Sequence, residues 1–262
     1  MNVLKVRPVD ISQIKAQHTR LNAMTSTFER ELDKLRSRII KMGSTVDEQV
    51  ELAFRTLEEW DEALALHVMG RDEKVDKLDM KIERQCLRIF ALQQPVASDL
   101  RLIMAALNIN SELERMGDLA YNIARSVAML KPAREIIDRL DVRQLTEAVQ
   151  HMVRHTIDSF IDNDLELALS VMRSDRRVDQ YEERIRRQTI ELMKESPGFV
   201  EAGATLIIQL RNMERIADHA TNVAEEVIFV AKAKIIPNRF SEDLYDELER
   251  ELTGQNDEED DD

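Results

Sequence analysis

The 262-residue chain has a single cysteine, one tryptophan, three tyrosines, six glycines and five prolines. With only Cys86 available, no intrachain disulfide can form and nothing argues for an oxidising compartment. The scarcity of strand-favouring aromatics and of turn-forming residues argues against a β-rich fold. No stretch approaches the roughly 18 to 20 uninterrupted apolar residues that a membrane span needs, and the N-terminus lacks an apolar signal core. The expectation is a cytoplasmic protein with no direct membrane insertion. A glycine-rich phosphate loop, a nucleotide fingerprint and a Ser-His-Asp set are also missing, so direct ATP use is not expected.

The net charge of -14 is concentrated at one end. Residues 241 to 262 hold twelve acids against Arg250 alone, which leaves about -3 for the rest of the chain. The body therefore has no basic field for nucleic acid. The closing "NDEEDDD" is a self-repelling block, expected to be a disordered, solubilising tail.

What the sequence does contain is Ala, Leu, Glu, Arg, Ile and Met, all good helix formers, and the expected fold class is all-α. Leu32, Leu35, Ile39, Met42, Val46, Val50, Ala53 and Leu57 step by three and four, the spacing of one buried helical stripe. A second helix is predicted from near Asp61, with Val75, Leu78, Ile82 and Ile89 inward, Cys86 as a buried structural thiol, and a break or recap at Gly70 and Asp72. Pro95 ends it, and Ser98 or Asp99 can cap a third helix, about 97 to 130, that is apolar around most of its circumference. After Lys131-Pro132 the plan repeats at about 142 to 162, 164 to 194 and 199 to 232.

The repetition is visible residue by residue. "ALHVMGRDEKVDKLD" (65–79) aligns with "ALSVMRSDRRVDQYE" (168–182) at an offset of 103, and "ELERMGDLAYNIA" (112–124) recurs as "NMERIADHATNVA" (212–224) at an offset of 100. Two tandem, internally duplicated three-helix bundles follow, with antiparallel helices joined by short connections. The expected divisions are a partly ordered N-terminal extension (1–26), a first bundle (27–131), a linker (132–141), a second bundle (142–236) and an acidic tail (237–262).

The duplicated stretch carries carboxylates where a helix is otherwise apolar. Glu114, Asp118 and Asn122 form an oxygen-bearing row at i, i+4 and i+8, and Glu214, Asp218 and Asn222 form its copy. Such pairs are ordinary on solvated faces, where they repel by only about 0.2 to 0.5 kcal/mol. Here Leu113, Met116, Gly117, Ala120, Ile123 and Ala124 leave little circumference for water, and a buried carboxylate needs a counter-charge or a proton. Three readings stay open: a metal cation, an ion-pair network through Arg115 and Arg215, or a solvated face. A metal would be a divalent ion or iron (Mg, Mn, Ca, Fe or Zn), held through carboxylate oxygens rather than thiolates. Partner ligands must come from another helix. The candidates are Asp76, Asp79 and Glu83, and Asp179 and Glu182 in the second repeat. Position 83 becomes Arg186 there, so two identical sites are not expected.

"QQPVASDLR" followed by "ELERMGDLAYNIA", then "MERIADHATNVAEEV" and the doubled three-helix plan, resemble the PhoU family over roughly residues 28 to 235. The resemblance implies a bacterial cytoplasmic protein, often dimeric, that represses the phosphate-starvation (Pho) regulon and modulates high-affinity phosphate uptake. It further implies contacts with the phosphate ABC transporter's ATPase and with a membrane-bound, phosphate-sensing histidine kinase, which would make the protein peripheral at the inner membrane through its partners. Some members carry multinuclear metal clusters on the acidic motifs. Carried over, the metal positions are Glu114, Asp118, Asn122, Glu214, Asp218 and Asn222. This chain departs from the first copy at Ala217, which stands opposite Gly117, and at His219, which puts the second site's metal in question.

Two other classes compete. A carboxylate-bridged di-metal enzyme needs Glu-x-x-His, which the third and sixth helices lack, because His219 lies five after Glu214. The chain is not expected to be an enzyme. A generic helical scaffold or chaperone-like protein is the other. His151 and His155, four apart, could hold a metal but lack the Glu of the metalloprotease motif, and the expected role is a half-exposed structural pair.

Overall fold

In the computed structural model the described residues are 11 to 232 except Gln94 and Val96, with side chains described from Thr27 onward, Ala97 excepted. Residues 1–10 and the acidic tail lie outside the described residues. Within them the chain is built of helices: α1 (Ile11–Glu59), α2 (Glu62–Met69), α3 (Asp72–Gln93), α4 (Ala97–Leu130), α5 (Arg134–Ile137), α6 (Val142–Asp162), α7 (Leu165–Glu195) and α8 (Val200–Lys232). Short 3-10 turns, Lys131–Ala133 and Pro197–Phe199, lead into α5 and α8. Among the described residues there is no strand.

The two repeats use the same local chemistry at equivalent places. Asp61 caps α2, its Oδ1 accepting from the backbone N–H groups of Ala63 and Leu64 at 2.8 and 3.0 Å. Asp164, its counterpart 103 residues on, caps α7 by accepting from Leu167 N–H at 3.0 Å. The residue before each cap is left-handed, with φ 53° at both Trp60 and Asn163. Asparagine tolerates this conformation; tryptophan does not adopt it readily. Trp60 is nevertheless held there, buried, with its indole N–H donating to Asp138 at 3.1 Å. Asp164→Ala is expected to destabilise the protein by about 1 kcal/mol, a melting-temperature loss of about 2 to 4 °C. An unchanged thermal midpoint would show that this cap contributes nothing.

The repeats differ in their second helix. Gly70 and Arg71 divide it into α2 and α3, whereas α7 runs unbroken through Arg173 and Ser174. Two helical stretches lie outside the expected bundles. The first helix starts at Ile11, inside the presumed extension, and α5 lies within the presumed linker.

Each repeat buries one stripe of each helix around a common interior. Met42, Val46 and Val50 of α1 are fully buried, as are Ile82 and Cys86 of α3 and Ala120 and Ile123 of α4. Leu145, Val178, Leu210 and Ile216 do the same in the second repeat. The interiors merge, because α4 and α8 make the most extensive interhelical contact in the molecule. Glu112 meets Asn222 and Asn108 meets Glu226, so these two helices run antiparallel. On the other side α1 packs antiparallel to α6, with Arg36 reaching the Phe160 and Ile161 carbonyls and Thr146 donating to Glu58. Gln150 donates to Asp47 at 2.5 Å. These two positions are repeat equivalents, which places the axis relating the repeats beside them. The α3 helix packs on α1 and α4, and α7 on α6 and α8, which leaves an α3/α4 groove and an α7/α8 groove.

Candidate metal centre

Gly117 sets the depth of the first groove. A Cβ there would lie 3.3 Å from Val75 Cγ1, so α3 comes close to α4 at this point. The Gln49 side chain braces it from α1, its Nε2 donating to the Gly117 carbonyl at 3.2 Å and to Asp72 Oδ1 at 3.5 Å. The approach gathers Asp72, Asp76 and Asp79 of α3 with Glu114 and Asp118 of α4. Their mutual effect is direct. Burial raises the Glu114 carboxyl above its ordinary range, and Asp118, Asp79 and Asp76 raise it further. Asp118 is raised by burial and by Asp76. Asp72 is raised by burial, Asp118 and Asp76, and Asp79 by burial against an opposing hydrogen bond of 2.5 Å from Asn110. Glu83 adds to the field at Asp79, at the far end of the group.

The second groove repeats this with Asp175, Asp179 and Glu182 of α7 against Glu214 and Asp218 of α8. Burial is the largest effect on Asp175, which is pushed up to about 6 with help from Asp179 and Asp218. Glu214 is pushed up to about 7 by burial, with Asp218, Asp179 and Glu182 adding and Arg211 opposing. Glu214 is only 6% exposed. Its Oε2 is buried with no hydrogen-bond partner, and so is Asp175 Oδ1. Asp218 is also raised, chiefly by burial.

Counter-charge is unequal between the grooves. In the second, Arg211 pairs with Glu214, and Arg186 reaches Glu182 at 3.1 and 3.3 Å. Their equivalents in the first are Ser111 and Glu83, so these two arginines have no counterpart there. Among the described residues the arginines suspected from sequence make no ion pair with these carboxylates, although Arg115 lowers Glu114 and Arg215 lowers Asp218 through their charge. Arg115 is exposed and its pairing is with Glu112, at 3.8 Å, while Arg215 is exposed. Each stands one residue after its glutamate and so points about 100° away, whereas Arg211, three before Glu214, shares its face.

The oxygen row does not stay together in the second repeat. Asn222 turns to the α4 seam, its Nδ2 donating to Glu112 Oε2 at 2.9 Å. Eight residues of helix accumulate about 80° relative to Glu214, enough to change neighbours. His219 is on the same seam: its Nδ1–H donates to Glu112 Oε2 at 2.6 Å. Burial pushes the Glu112 carboxyl up, but His219 and Asn222 outweigh it and hold the group below its ordinary value. Further along the seam, burial with Glu226 and Glu112 pushes Glu225 up to about 7. This latch has no copy, because Asn212 and Leu119 stand at the equivalents of Glu112 and His219.

Sequence reasoning missed Asp72 and Asp175. Both lie at i-4 from a named candidate and are related by the 103-residue offset, so the repeat itself carried the signal. Among the described residues no three His, Cys, Asp or Glu side chains are drawn into a finished cage. The donors are all carboxylate oxygens and fit a hard, oxygen-loving cation, most directly in the second groove, where Glu214 Oε2 and Asp175 Oδ1 are buried without a partner.

The two repeats are matched in known proteins. The PhoU domain model matches twice, at residues 39–127 and 142–227. A phosphate-specific transport system accessory protein PhoU homolog from Pseudomonas putida is 36% identical over 210 residues, 80% of this chain and 82% of that protein. Homolog 1 from Thermotoga maritima is 33% identical over 208 residues, covering 79% and 90%. Among solved structures, PhoU from Pseudomonas aeruginosa superposes with a TM-score of 0.75 at 36% identity, covering 79% of this chain and all of that one. The phosphate transport system regulatory protein PhoU from Streptococcus pneumoniae gives 0.73 at 27% identity, covering 80% and 99%. Two matched domains, in a chain whose repeats and acidic grooves coincide with them, make this chain a member of the PhoU family.

Proposed function

We propose that this protein is an accessory regulator of phosphate transport that represses the phosphate-starvation regulon when phosphate is plentiful. It acts through protein contacts, from the cytoplasm and as a dimer, on the phosphate transporter's ATPase and on a phosphate-sensing histidine kinase. The observation that carries the reading is the pair of acidic grooves, repeated within a chain whose relatives are named as transport accessory proteins rather than enzymes. Among the described residues no helix is long and apolar enough to cross a membrane, which agrees with action through partners.

In this reading each groove holds metal. Asp72, Asp76, Asp79, Glu114 and Asp118 would hold it in the first, and Asp175, Asp179, Glu182, Glu214 and Asp218 in the second. Bound cations would neutralise the carboxylates and fix α3 on α4 and α7 on α8. The grooves are also non-equivalent. Arg186 and Arg211 reduce the charge available to a cation in the second, so the first is expected to bind the harder or more highly charged ion.

The test is genetic and analytical together. Deleting the gene is expected to derepress alkaline phosphatase in phosphate-rich medium, and the wild-type gene to restore repression. The double variant Asp118→Asn, Asp218→Asn is expected to bind less metal after purification without chelators and to restore repression poorly. A deletion strain that stays repressed would overturn the regulatory reading. Metal-free wild-type protein, together with a double variant of normal stability and repression, would overturn the metal part alone.

A further inference from the structure

The two histidines of α6 lie on the α1/α6 side of the molecule, away from both acidic grooves. Their imidazole rings touch, with centroids 3.8 Å apart and planes tilted by 56°. His151 is exposed and His155 half-buried. Neither ring has a hydrogen-bond or ion-pair partner among the described residues, so the ring nitrogens are open to solvent or to a ligand. Asp158, one turn beyond His155, is close enough to act on it electrostatically. The intervening cation, Arg154, is occupied by Glu51 at 3.3 Å and Asp47 at 3.7 Å. His151 also borders an open hollow lined by three glutamates (Glu51, Glu58, Glu147) and three arginines (Arg55, Arg143, Arg154), so solvent and ions reach it.

We propose that His151 and His155 form a two-nitrogen chelate for one borderline divalent cation of the zinc, nickel or copper class. Neutral imidazole is the commonest protein ligand for such ions. Two nitrogens sharing a tetrahedral zinc, each about 2.0–2.1 Å from it, lie about 3.3 Å apart. Rings radiating from one such ion have centres about 5 Å apart, so the pair, now in contact at 3.8 Å on successive turns of one helix, opens by side-chain rotation to receive it. Burial, with His151 adding, lowers the His155 pKa, which keeps its ring neutral and available near pH 7. Magnesium and calcium prefer oxygen cages and would not compete here. Water completes the coordination, in keeping with the lack of any convergent three-ligand group. The site is independent of the acidic grooves, so failure of either leaves the other standing.

The test uses the full-length protein, stripped with chelator and followed by imidazole nitrogen NMR during titration with Zn(II). The ring signals of His151 and His155 are expected to move together along one saturation curve, while those of His67 stay put. His155→Gln should weaken the His151 response by at least about tenfold, and His151→Gln should do the same to His155. Ni(II) should displace Zn(II) from both rings, and millimolar Mg(II) should not. Melting curves of both variants check that the fold is retained. If both rings respond no more than His67, or if His155→Gln leaves the His151 curve unchanged, no chelate exists.

Discussion

Glu112→Ala is expected to lower the melting temperature by about 5 to 10 °C, the largest loss foreseen for any partly exposed side chain in the molecule. Glu112 accepts from His219 at 2.6 Å and from Asn222 at 2.9 Å across the α4/α8 seam. Its removal leaves the buried His219 ring without a partner on either nitrogen, since Nε2 already has none. It also strands the Asn222 amide. Stranding buried polar groups in this way costs about 2 to 4 kcal/mol, most of it desolvation no longer offset. Glu112→Gln retains one acceptor and should fall between. Glu147→Ala, which breaks the exposed Arg143 pair, serves as the reference and should change stability by no more than about 0.5 kcal/mol. A Glu112→Ala protein that melts within about 2 °C of wild type would show that the seam is held by its apolar contacts alone.

Metal-free protein is expected to melt about 5 °C or more lower at pH 7.5 than at pH 5, and Glu214→Gln to remove much of that difference. The direction follows from linkage. Glu214 has a folded pKa of about 7 against an ordinary 4.5. Its protonated form is therefore favoured by folding: the stability it contributes is whole below its ordinary pKa and is lost as pH climbs through about 7. Asp175 at about 6 and Glu225 at about 7 act with the same sign. Glu112, held low, acts with the opposite sign but only as pH falls through the ordinary carboxylate range, below this window. Adding Mn(II) at pH 7.5 should restore most of the lost melting temperature in wild type and less in Glu214→Gln. A melting temperature flat between pH 5 and 7.5 would mean that water or Arg211 already relieves the carboxylate.

The sequence carried most of this architecture because its signals were local and repeated. The span of α4 follows from Pro95 and Lys131-Pro132, and the duplication follows from "ALHVMGRDEKVDKLD" and its copy. The start of α1 was hidden because His18 and Thr25 interrupt the apolar steps of Ile11, Ile14 and Leu21. The break at Gly70 was foreseen as a possibility, but only the structure shows that α7 has none. In the site, Glu114, Asp118, Glu214 and Asp218 were legible from spacing within an apolar helix. The α3 and α7 partners were legible only in part, since a single helix cannot reveal which of its acids face a neighbour. Asn222 stands about 80° around the helix from Glu214, because i+8 is not collinear, and its amide donates to Glu112. The Glu112–His219 pair joins residues 107 apart and has no repeat equivalent, so neither periodicity nor duplication could announce it.

That solitary pair has a geometrical consequence. An object made of two like halves about an axis looks the same after a half turn, and a partner could mount it in two indistinguishable ways. The latch, set to one side of the seam's midpoint, with arginines paired to carboxylates in the second groove, removes that ambiguity. The molecule has a front and a back, and a partner that reads the difference can bind it in a single orientation.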